Sequence, residues 1–79
     1  MHIKIIGKNS SNRIKLLKNI NKVQKELNDF LDIEILEDDK TIKQYQNIPM
    51  PIFMINDKII SNGKILTDRE IKHFIKNFA

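Results

Sequence analysis

Few side chains in this sequence are suited to covalent chemistry. Cysteine is absent, which excludes disulfides, thiolate metal sites and thiol nucleophiles. The two histidines, His2 and His73, sit near opposite ends of the chain. Two isolated imidazoles do not make a metal set, so surface roles are expected for both. What remains is the polar stretch Gly7-Lys8-Asn9-Ser10-Ser11-Asn12-Arg13. Ser10 has no evident base nearby and is a weak nucleophile. Its hydroxyl is suited to capping a helix. Arg13 and Lys8 make the stretch cationic. Beside helix N–H groups, that charge fits a carboxylate, a phosphate or a glutathione-like anion. The acidic run Glu34, Glu37, Asp38 and Asp39 resembles a metal cluster only superficially, and solvated caps are expected.

These residues need elements to position them. His2-Ile3-Lys4-Ile5-Ile6 is β-branched and stopped by Gly7, so a strand is expected over residues 3–6. A helix follows over about residues 11–30, with an apolar stripe at Leu16, Ile20, Val23, Leu27 and Phe30/Leu31. Lys15, Lys18, Lys22 and Lys25 recur on its far side. Ser10 is the expected N-cap, while Arg13 in the first turn opposes the helix dipole. Asp32-Ile33-Glu34-Ile35-Leu36-Glu37 alternates as a second strand. Asp38-Asp39 can cap a short helix that turns Ile42 and Tyr45 inward.

The residues before Pro49 and Pro51 must be extended, because proline bars its predecessor from the α region. Ile52-Phe53-Met54-Ile55 is continuously apolar, as in a central strand covered on both faces. Asn56-Asp57 makes a two-residue hairpin loop, and Lys58-Ile59-Ile60-Ser61 returns. Asn62-Gly63 ends the sheet. Thr67-Asp68-Arg69-Glu70 is a capping box opening a last helix with Ile71, Phe74, Ile75 and Phe78 on its apolar face. The order β-α-β-α-β-β-α requires a parallel crossover followed by an antiparallel hairpin, and so one mixed sheet with helices packed on it.

Length and charge bound the function. Seventy-nine residues suit a single domain, residues 1–79, that buries roughly 60% of its unfolded surface. No apolar run reaches the ~18 residues of a membrane span, and Met1-His2-Ile3-Lys4 begins no signal peptide, so a cytoplasmic monomer is expected. The net charge is +4. Isoleucine, lysine and asparagine make up 37 of the 79 residues, and their AT-rich codons account for part of that excess. Residues 1–25 hold seven bases and no acid, residues 26–39 seven acids and no base, and residues 40–79 seven bases and three acids. The lysine stripe could touch nucleic-acid phosphates. With one tyrosine, no tryptophan and the phenylalanines assigned to core, a solvated helix face is the preferred reading, and nucleic acid is not an expected partner.

The strand-Gly7-turn-helix opening, Met50-Pro51 before residues 52–55, the Asn56-Asp57 hairpin and Gly63 before the last helix together resemble the thioredoxin fold in its minimal form. The chain is similar to small thioredoxin-like and glutaredoxin-like proteins over nearly its whole length. The resemblance implies a four-stranded mixed sheet with three helices, and a cis peptide bond before Pro51 set against the active-site turn. In redox-active relatives that turn reads Cys-x-x-Cys; here it reads Ser10-Ser11-Asn12-Arg13. Exchange with a disulfide needs a thiolate, and neither serine nor arginine supplies one. The resemblance also offers a precedent for Ser10, since some glutathione transferases of this fold use a serine toward a ligand thiol.

The expected function is therefore binding rather than catalysis, with no cofactor and no metal. The candidate site is the groove formed by Ser10, Ser11, Asn12, Arg13, Met50 and Pro51. It would take a peptide or a small anionic or thiol ligand. Two alternatives stay open: a thiol–disulfide oxidoreductase by descent whose cysteines were lost or replaced, and a basic nucleic-acid binder acting through the first helix.

Overall fold

The computed structural model describes residues 1–27 and 30–78. Strand β1 (His2–Ile6) leads into helix α1 (Ser11–Leu27), and β2 (Asp32–Leu36) is followed by the short α2 (Asp39–Gln44). Then come β3 (Ile52–Ile55), β4 (Lys58–Asn62) and α3 (Asp68–Phe78). The four strands form one sheet in the order β2-β1-β3-β4. β1 pairs with β2 in parallel, and β3 pairs antiparallel with both β1 and β4. The expected mixed sheet and its crossover are thus present.

Alternation along the strands sorts side chains onto two unequal faces. Ile3, Ile5, Phe53 and Ile55 meet Leu16, Ile20 and Val23 of α1 and Ile71 and Ile75 of α3 in the main core. On the other face Ile6, Ile52 and Met54 form a smaller cluster, covered by Ile42, Tyr45, Ile48 and Met50. All four residues of β3 are buried, as a strand enclosed on both faces requires. Ile42 and Tyr45 turn inward as their spacing indicates.

Turn chemistry explains the connections. Asn56 and Asp57 take positive φ (48° and 69°), the conformation a tight two-residue hairpin demands. A register shift between Phe53 and Met54 marks a bulge against β4. Gly63 has φ 63°, and a Cβ there would stand 2.8 Å from the Pro49 Cβ, so a larger residue would clash. Thr67 and Glu70 form the capping box: the Glu70 N–H donates to Thr67 Oγ1 and the Thr67 N–H to Glu70 Oε1, both at 3.1 Å.

The far end of α1 corrects the sequence reading. The helix is assigned to Leu27, positions 28–29 lie outside the described residues, and Phe30 is not helical. Phe30 is 75% exposed while Leu31 is buried in the main core. The last apolar anchor is therefore Leu31, because β2 begins at Asp32 and its first residues set which neighbour faces inward. No helix among the described residues is long and apolar enough to cross a membrane.

Candidate functional site

The site begins with strand register. Ile6, the last residue of β1, lies opposite Ile52, the first of β3. Gly7 and Pro51, one step beyond each, are therefore neighbours. A Cβ on Gly7 would lie 3.5 Å from Pro51 Cα and 3.8 Å from Met50 Cβ. The Met50–Pro51 peptide bond is cis. The Pro51 carbonyl accepts a hydrogen bond from the Gly63 N–H at 2.9 Å, which ties it to the end of β4. Pro51 and Gly7 are buried, and Met50 is half-buried against the smaller cluster.

Beyond Gly7 the chain is exposed from Lys8 through Asn12. Ser10 Oγ accepts from the Arg13 N–H at 3.2 Å, and the Ser10 carbonyl accepts the first helical bond, from the Ile14 N–H, at 3.0 Å. Ser10 is thus the N-cap of α1. Ser11 and Asn12 follow on the exposed first turn.

Arg13 does not stand out from the turn as an uncommitted charge. Its side chain is only 12% exposed. Nη1 donates to the Gly7 carbonyl at 3.2 Å and to Glu37 Oε2, and Nη2 donates to Asn9 Oδ1 at 3.1 Å. The guanidinium fastens the end of β1, the turn and the exit of β2 to one another, while its Nε is buried without a partner. The penalty of a cation at a helix N-terminus is offset by the Glu37 carboxylate. Lys8 is likewise paired, with Asp39. Both cations that suggested an anion site therefore already carry carboxylate partners.

Asn9 and Glu37 are the residues that sequence reasoning missed here. Glu37 was legible in principle. Ile6 pairs with Leu36 in the parallel ladder, so the residue that follows β2 must emerge beside Gly7. Asn9 gave no such signal.

The acidic run disperses rather than clusters. Glu34 pairs with His2, Glu37 with Arg13 and Asp39 with Lys8. Asp38 caps α2 by accepting from the Thr41 N–H and hydroxyl, bonds that hold its carboxyl below the usual range. Among the described residues no group of three or more His, Asp or Glu could hold a metal ion. His2 lies at the start of β1, away from the turn, and His73 lies on α3 beside Asn77.

The structure thus brings Gly7, Met50 and Pro51 together through the β1–β3 register and ties Arg13 to Gly7, Asn9 and Glu37, with Ser10, Ser11 and Asn12 exposed at the start of α1. A family model described as Thioredoxin domain matches residues 1–76. No curated protein and no solved structure matches the chain. With strand order, helix placement and a match over nearly all 79 residues in agreement, the chain belongs to the thioredoxin domain family.

Proposed function

We propose that this protein is a redox-inactive thioredoxin-fold module that binds an extended peptide in the groove between positions 10–13 and Met50-Pro51. The observation that carries this reading is the Arg13 clamp. Hydrogen bonds to Gly7, Asn9 and Glu37 organise the turn at the place where relatives hold a dithiol. None of these bonds involves sulfur, so the turn is held without the dithiol. Recognition of an extended peptide rests on backbone hydrogen bonds and a few side-chain pockets, and neither requires a thiol. A thiol or small anion is the weaker ligand class, because Arg13 and Lys8 are already neutralised by Glu37 and Asp39. Oxidoreductase activity by descent fails on chemistry, since Ser10 and Arg13 offer no disulfide couple.

The test is an amide-shift titration with extended peptides, glutathione and phosphate in parallel. Peptides are expected to move the signals of positions 10–13 and 50–52, and the two anions to leave them in place. Shifts with glutathione or phosphate alone would replace the peptide reading with the anion one. A separate variant, Ser10→Cys with Arg13→Cys, is expected to form a reducible disulfide. If the two thiols stay free under oxidising conditions, the placement of the site is wrong.

A further inference from the structure

Two helices on one side of the sheet hold more than the whole net charge of the chain. α1 contains five bases and one acid, and α3 three bases and two acids. Together they carry +5, against −1 for everything else. In the sequence these helices are separated by the acidic segment, which obscures the total. In the fold they lie side by side and run in the same direction. The Asn19 amide donates to the Leu66 carbonyl, Lys22 pairs with Asp68 and Lys72 with Glu26. Two of the three acids on these helices are thereby engaged at the seam. Lys15, Lys18 and Lys25 are exposed on α1, and Arg69 and Lys76 on α3. Lys18, Lys22 and Lys25 also line a shallow groove along α1 with Ile14, Leu17 and Asn21, and no carboxylate lines it.

We propose that this α1–α3 face docks the phosphate backbone of duplex nucleic acid without reading its sequence. An ammonium group donates and never accepts, so a lysine-lined surface suits an acceptor-only polyanion. Lys15 to Lys25 spans about 15 Å of helix, roughly four phosphates along one strand of a duplex. Stacking on unpaired bases is not offered, because the aromatic residues of α3, Phe74 and Phe78, pack against the main core, and this favours a duplex over a single strand. A membrane surface fits less well. Both helices turn their apolar stripes to the sheet, and among their described residues Ile14 is the one large apolar side chain exposed. The face is distinct from the peptide groove, because Arg13 is held inward by Glu37; without it the two helices still carry +4.

The experiment is fluorescence anisotropy of the full chain with a labelled 30-base-pair duplex of mixed sequence. Phosphatidylserine vesicles and polyglutamate serve as competitors. Contacts to about four phosphates predict roughly a 100-fold loss of affinity between 50 and 200 mM salt. The triple variant Lys18→Gln, Lys25→Gln, Lys76→Gln is expected to bind at least about tenfold more weakly and to flatten the salt dependence by about three contacts. Lys58→Gln, which removes an exposed charge at the start of β4, should bind the duplex like the unaltered chain. All three lysines are exposed, so circular dichroism of the variant should match that of the parent. Absence of duplex binding at 50 mM salt, indifference to the three substitutions, or tighter binding to vesicles or polyglutamate would each overturn the proposal.

Discussion

The starts of α1 and α3 solve one physical problem in different ways. Each leaves orphan N–H groups at the positive end of a helix dipole. α3 uses local means: the reciprocal Thr67–Glu70 box, with Asp68 and Glu70 as acids in its first turn. α1 has the Ser10 cap but no acid in its first turn, and it places Arg13 there instead. The missing negative charge comes from Glu37, 24 residues along the chain, at the exit of a parallel strand. The start of α3 is therefore a feature of its own sequence, whereas the start of α1 exists only once the sheet is assembled. The tertiary solution sits at the candidate site, and the local one sits away from it.

The largest effect is expected from breaking the α1 arrangement. Arg13→Ala removes a nearly buried guanidinium with bonds to Gly7, Asn9 and Glu37. The expected cost is about 2 kcal/mol, read by urea denaturation, together with loss of the amide signals of a fixed turn. If the variant is as stable as its parent and the turn signals persist, the clamp does not organise the site. Thr67→Ala should cost about 1 kcal/mol, because the hydroxyl that accepts from the Glu70 N–H is lost while the backbone N–H at position 67 keeps its bond to Glu70, in a helix already anchored by Ile71 and Ile75. Ser10→Ala should cost less, about 0.5 kcal/mol, since Arg13 continues to hold the turn. A larger loss at Ser10 than at Thr67 would invert the comparison.

The smallest effect is one of pH. Lys22 holds the Asp68 carboxyl below its ordinary value, and the Thr41 bonds do the same for Asp38 at the cap of α2. A depressed carboxyl contributes stability above its unfolded pKa, near 4, and loses it as the pH falls through the folded value. Between about pH 4 and pH 2 the first turns of α2 and α3 should loosen. Amide exchange at the starts of α2 and α3 measures the effect. Protection of the Thr41 and Arg69 amides that holds unchanged from about pH 4 to pH 2 would show that these carboxylates do not support the two helix starts.

Much of the fold was legible from residue pattern. Alternation gave the edge strand β2, the unbroken apolar run gave the enclosed β3, and Asn56-Asp57 gave the hairpin, because each signal depends on neighbours in sequence. The far end of α1 was misread. Period alone cannot separate Phe30 from Leu31 when either continues the stripe, and the start of β2 decides which is buried. At the candidate site, the Ser10 cap was legible and the electrostatics were not. Lys8 and Arg13 read as available cations because their partners, Asp39 and Glu37, lie 31 and 24 residues away. Counting charge by segment likewise missed that α1 and α3 share one face.

The sequence by itself determined which elements form, where Ser10 caps a helix, and that no thiol is present to do redox chemistry. These follow from local backbone preference and from composition. Only the tertiary structure decided that Arg13 is a clamp rather than a ligand-facing charge, that Gly7 packs against Pro51, and that two basic helices make one surface. Each of those depends on strand register and helix packing, which bring together groups that the chain holds far apart.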